Sequence, residues 1–147
     1  MSAAAAPSGG DLGLLRAFEE CTLPADRFHH ADHVRVAWLM LGLDDLPAAL
    51  RRFREGLRRY ATSLGKAGIY HETITVAYLL LIHERRQRGP EDETFEAFAG
   101  RNPDLLCWRP SALDRYYRPE TLSSEMARRT FLLPDRLEAG AEVAVPP

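Results

Sequence analysis

The chain predicts an all-α fold, a single-domain irregular helical bundle of about five to seven helices. Three observations carry that expectation. Strand-like alternation of period two is absent throughout the 147 residues. Leu50, Phe53, Leu57, Tyr60 and Leu64 recur at three- and four-residue steps, the stripe of an amphipathic helix. Between Ile74 and Ile82 the chain is apolar on nearly every side, as in a helix covered by neighbours all round.

Residues 1–10, rich in Ala, Ser, Gly and Pro, are expected as a disordered leader, without the basic start and long apolar run of a signal peptide. A first helix is expected from Asp11 to Cys21. Asp11 would be its N-cap, Leu14, Leu15 and Phe18 its apolar stripe, and Pro24 lies just past its end. A second helix runs from about Ala31 to Leu41 and is closed by Gly42. The third starts near Asp44 and Asp45 with Pro47 in its first turn, and Gly65 and Gly68 end it. The fourth covers about His71 to Arg88, stopped by Pro90.

The remainder is more broken. A short helix around Asp92 to Gly100 carries Phe95 and Phe98, and Ser111 and Asp114 are spaced like a capping box before Arg115-Tyr116-Tyr117. A last helix is expected over Ser123 to Phe131. The helical domain should therefore occupy residues 11–135, with a flexible tail over 136–147.

One domain of this size buries roughly two thirds of its unfolded surface. A formal net charge of -2 gives no basic excess, which argues against a general nucleic-acid binder. Arg51-Arg52-Phe53-Arg54 and Arg58-Arg59 alternate with the third helix's apolar stripe and read as a solvated face. No apolar run is long enough for a bilayer span, so no membrane partner is expected. Cys21 and Cys107 form no CxxC pair, which excludes a zinc ribbon and argues against a disulfide framework. Two such thiols suit a reducing cytoplasm.

Three of the five histidines fall within Phe28-His29-His30-Ala31-Asp32-His33, and a fourth stands in Tyr70-His71-Glu72-Thr73. Both clusters sit where an apolar helix begins, so two helix N-termini are expected to converge on one polar site. Imidazole is the commonest metal ligand and the natural acid or base near neutral pH. His30 and His33 are three apart and share a helical face, which continues through Ala37 and Leu41 into the core. His29 and His33 are four apart and pair as well by spacing; His30 is favoured because His29 precedes the first full turn. On the fourth helix His71 lines up with Thr75, Tyr78 and Ile82.

The leading expectation is an enzyme acting on a small-molecule substrate through a divalent metal ion (Zn, Fe, Mn or Ni) held by His30, His33 and His71. Glu72 would be the general base or would orient a ligand, Tyr70 would be the acid, and His29, Thr75 and Tyr78 would line the substrate pocket. Such a metal lowers the pKa of bound water toward about 7, which suits proton transfer, hydration, elimination or hydrolysis. Two alternatives stay open. One is a metal-free His/Glu acid-base isomerase, cyclase or lyase. The other is a non-enzymatic ligand-binding or protein-interaction module whose histidines are buried and hydrogen-bonded. A homodimer is left open.

Plainer roles stand beside these. Asp32 and Glu72 both suit the first turn of a helix, where a carboxylate complements the dipole and caps open N–H groups. His83 reads as a core or boundary histidine, and Tyr116 and Tyr117 as core and rim aromatics. His-Glu-x-x-His, a Gly-rich phosphate loop and a dinucleotide fingerprint are absent, as is a contiguous His-Asp pair. No Ser or Cys has the surroundings of a nucleophile.

Taken together, His29-His30-Ala31-Asp32-His33-Val34-Arg35-Val36-Ala37-Trp38, Tyr70-His71-Glu72-Thr73-Ile74-Thr75, Asn102-Pro103-Asp104-Leu105-Leu106 and Ala127-Arg128-Arg129 with Phe131 to Asp135 resemble a group of small uncharacterised bacterial helical proteins. The likeness runs from about Leu14 to Asp135, and its first two segments are the specific part. It implies a shared site and brings no reaction with it.

Overall fold

A computed structural model describes residues 9–136. Among them the fold is all-α, with eight helices and no strand. Five are of seven residues or more: α1 (Gly9–Glu19), α2 (His30–Leu43), α3 (Leu46–Ser63), α4 (Glu72–Gln87) and α5 (Phe95–Arg101). Three are short: α6 (Pro103–Leu106), α7 (Pro119–Leu122) and α8 (Glu125–Arg129). The sequence pattern anticipates the long ones; α6 and α7 are single turns started by Pro103 and Pro119, too brief to show a period.

α2 and α4 form the centre. α2 packs on α1, α3, α4 and α6, while α4 packs on α2, α3 and α8. Their shared surface is dry: Val36, Ala37, Met40 and Leu79 are wholly inaccessible. α3 turns its stripe inward, burying Phe53 and Tyr60, and leaves Leu64 at its end exposed. Asp45 caps α3 by accepting the Ala48 N–H at 2.9 Å, with Pro47 in the first turn. Gly65, at φ +70°, ends it in the left-handed conformation that side chains disfavour.

Several boundaries differ from expectation, each for a local reason. Gly9 and Gly10, assigned to the leader, open α1, and residues 1–8 lie outside the described residues, as do 137–147 of the expected tail. Asp11 is therefore in the first turn of α1 and not its N-cap; its Oδ1 accepts from Arg35 Nε at 2.6 Å. α1 stops at Glu19 because Cys21 takes φ +59°. α2 runs through Gly42 to Leu43. Gly42 serves packing instead of termination: a Cβ there would lie 2.7 Å from Arg86 Nη2. That guanidinium lies 4.2 Å from the centre of the Trp38 ring and donates to the Trp38 carbonyl at 3.0 Å.

At the C-terminal side, Ser111 N–H donates to Asp114 Oδ2 and Leu113 N–H to Ser111 Oγ, each at 3.1 Å, around the expected capping residues. Asp135 and Arg136 are tied down, both backbone N–H groups donating to the Tyr116 carbonyl. Tyr117 is buried and donates to the Leu132 carbonyl at 2.8 Å. No described helix is long and apolar enough to cross a membrane.

Candidate functional site

The inner faces of α2, α3 and α4 do not close completely. They leave a cavity of about 590 Å³, within the size range of small-molecule pockets. Most of its wall is apolar, with Phe28, Phe53, Leu57, Ile74 and Ile82 among its lining. The residues with polar groups are His30, His33, Tyr60, Lys66, Tyr70, His71, Thr75, Tyr78 and Trp108. Six of the eight sequence-predicted site residues therefore face one space. His29 and Glu72 do not line it.

Each imidazole is held differently. His30 Nε2 donates to the Leu105 carbonyl at 2.8 Å, which fixes the ring and leaves Nδ1 with its lone pair. Its ring meets Tyr78 edge-on at 5.0 Å and Trp108 at 5.1 Å. Burial lowers the His30 pKa below the ordinary histidine value, opposed by the bond to Leu105.

The His33 ring makes no hydrogen bond among the described residues; it stacks on buried Phe28 with ring centres 3.9 Å apart. Burial lowers its pKa to about 4, helped by nearby His30 and opposed by Asp32. Phe28 is itself braced by Tyr60, edge-on at 5.0 Å, whose hydroxyl donates to the Leu23 carbonyl at 2.7 Å.

His71 is the N-cap of α4. Its Nδ1 accepts the Ile74 N–H at 3.1 Å and its Nε2 donates to the Leu122 carbonyl at 2.7 Å. Both nitrogens are committed. The sequence places His71 at a helix start, where an acceptor is wanted, and positions 64–72 hold no Ser, Thr, Asp or Asn to do the work.

Glu72 points to α3. Arg54 Nε donates to its Oε1 at 2.9 Å and Arg54 Nη2 to its Oε2 at 2.5 Å, while Tyr70 O–H donates to Oε1 at 2.6 Å. Arg58 lies 3.7 Å from Oε2. Burial alone pushes this carboxyl up, but the hydrogen bonds from Arg54 and Tyr70 and the two guanidinium charges outweigh it, holding the pKa low. A carboxylate so paired is a poor proton acceptor. The basic face of α3 is accordingly no mere solvated surface: Arg54 holds Glu72, and Arg52 holds Glu19 and Asp44.

Tyr70 is raised to about 12, first by burial and then by the hydrogen bond to Glu72, so its phenol stays protonated and gives up its proton reluctantly. Thr75 Oγ1 donates back to the His71 carbonyl at 2.7 Å. The Tyr78 hydroxyl lies 2.8 Å from Ser111 Oγ, and burial keeps it protonated. At the start of α2 the His29 backbone N–H donates to Asp32 Oδ2 at 2.9 Å, the capping role read for that carboxylate. His83 is half-buried and lies off the cavity.

An ion at His71 would have to displace the cap or the Leu122 bond. Among the described residues no three His, Cys, Asp or Glu are grouped to hold a metal ion. Trp108, Phe28 and Lys66 are cavity residues that spacing does not reveal. Trp108 sits between broken segments, where only its exposed aromatic character (46 % accessible) marks it.

No protein family model, curated protein or solved structure matches this chain.

Proposed function

We propose that this protein is a small-molecule enzyme that works by proton transfer without a metal, with His30 as the general base. The molecule it takes has a largely apolar body that fills the cavity. One observation carries this reading: the His30 ring lines the cavity while its Nε2–H is tied to the Leu105 carbonyl, so Nδ1 is the basic atom available there. A base held neutral and in one orientation by a backbone acceptor is suited to accept a proton near neutral pH.

The chemistry that fits is proton abstraction next to a carbonyl. The electrons of the C–H bond move onto the carbonyl oxygen, Nδ1 keeps the proton, and the imidazolium returns it to a neighbouring atom or to a leaving group. The protonated Tyr78 hydroxyl is the donor on hand for the developing oxyanion. His33, neutral and stacked on Phe28, adds no charge to compete with the imidazolium. Cys21 and Cys107 are both unpaired, which fits a cytoplasmic setting.

The test needs no knowledge of the natural substrate. Exchange of α-C–H for deuterium in cyclohexanone and 2-indanone is followed by proton NMR in D₂O. The wild type accelerates exchange, and His30→Gln, which keeps a donor for Leu105, loses at least about a hundredfold of that acceleration. Cavity binding with no exchange, or exchange unchanged in His30→Gln, overturns the proposal in favour of a pure binding module.

A further inference from the structure

We infer that the molecule held in this cavity is an amphiphilic anion, its apolar body between α2, α3 and α4 and its acidic head on Lys66 at the mouth. This rests on the small-molecule reading above and adds the ligand's charge and orientation. Among the side chains lining the cavity, Lys66 is the one with a fixed positive charge. The others are apolar, hydroxyl or phenol groups, and imidazoles. Burial holds His30 and His33 in the neutral form, and His71 accepts a hydrogen bond on one ring nitrogen.

Lys66 is also the only lysine of the chain, in a protein that otherwise uses arginine. It follows Gly65, and its backbone N–H donates to the Ala61 carbonyl at 2.8 Å, so the end of α3 places it beside the opening. No described carboxylate pairs with it. Glu72, a buried acid that does not line the cavity, is already neutralised by Arg54 and Arg58. An arriving anion thus meets a charge with no internal competitor.

The rim is apolar on either side of that charge. Leu64 is 36 % exposed, Ile69 66 % and Trp108 46 %. Large side chains left in water around a pocket mouth suit a ligand whose hydrocarbon continues to the surface. Burial of that hydrocarbon supplies most of the affinity. An exposed lysine supplies little energy and mainly selects the head group.

Isothermal titration of the full chain with octanoate and with 1-octanol, at low ionic strength, separates the two contributions. Lys66→Gln should weaken octanoate about fivefold and leave octanol unchanged, and Lys66→Arg should restore octanoate. Ala61→Phe, which fills the cavity, should abolish both. If Lys66→Gln weakens both ligands alike or neither, the anionic head is wrong while the cavity reading stands. If the wild type binds neither ligand, the small-molecule reading fails and this inference with it.

Discussion

The starts of α2 and α4 look alike in sequence, each a histidine beside a carboxylate before an apolar run, yet they do opposite things. At α4 the imidazole is the cap: His71 spends one nitrogen on the Ile74 N–H and the other on the Leu122 carbonyl. At α2 the carboxylate caps, Asp32 accepting the His29 N–H. His30 then keeps one ring nitrogen uncommitted, and the His33 ring makes no hydrogen bond among the described residues. A polar residue at a helix start is released for chemistry when a neighbour satisfies the open N–H groups. Glu72 cannot release His71 in this way, because Arg54 draws it to α3.

The largest effect that tests this contrast is the acid response of His33. Its pKa is near 6.5 in the unfolded chain and about 4 in the fold. The folded state therefore binds fewer protons between those values, and stability falls as pH drops from about 6.5 toward 4. Above pH 6.5 nothing is lost; below pH 4 the loss has levelled off at no more than about 3 kcal/mol. Urea unfolding of wild type and His33→Gln at pH 7.0, 5.5 and 4.5 measures it. The variant should be flatter over that window; equal slopes would mean that His33 titrates normally.

Next in size is the cap. His71→Ala should cost roughly 2 kcal/mol, about half from the helix cap and half from the Leu122 carbonyl left unpaired. His71→Asn should recover the first half, since Asn is a good N-cap. His30→Gln should cost under about 1 kcal/mol, because its loss is one hydrogen bond at the edge of a cavity. Equal destabilisation by His30→Gln and His71→Ala in urea unfolding would erase the distinction between the two helix starts.

A smaller shift reads out Glu72. Its carboxylate is the second cause, after burial, of the raised Tyr70 pKa of about 12. In Glu72→Gln the phenol should titrate part-way back toward 10, seen as earlier tyrosinate absorbance on raising the pH. Deuterium exchange should be unaltered within about threefold, since Glu72 does not line the cavity. A variant inactive yet folded would return Glu72 to a catalytic role.

How much of this was legible follows from the range of each force. Helix starts and stops depend on residues a few positions apart, so Asp45, Pro47 and Gly65 mark α3 correctly, and the apolar run marks α4 as central. Gly42 misleads because its helix-ending reputation is local, while the Arg86 guanidinium packed against it comes from another helix. The cavity is half-legible. Spacing aligns His71, Thr75 and Tyr78 on one face and His30 with His33 on another. It says nothing of the Leu105 and Leu122 carbonyls that consume ring nitrogens, because backbone acceptors carry no sequence signature. Arg54 and Glu72 are 18 positions apart, and only the fold pairs them.

Zinc should have the smallest effect. Binding at His30, His33 and His71 requires His71 to give up one of two hydrogen bonds, at a cost of about 1 kcal/mol for the cap alone. A structural zinc site returns far more than that, roughly 10 kcal/mol or above, so the cap by itself would not prevent binding. Placement tells against a site, since the described residues offer no group of three donors as they stand. Melting temperature measured with about 100 µM zinc, against a chelated control, should therefore be unchanged in wild type and in His71→Asn alike. A saturable rise in wild type that vanishes in His71→Asn would show that α4 can surrender its cap, and the three histidines would then have to be treated as a metal centre.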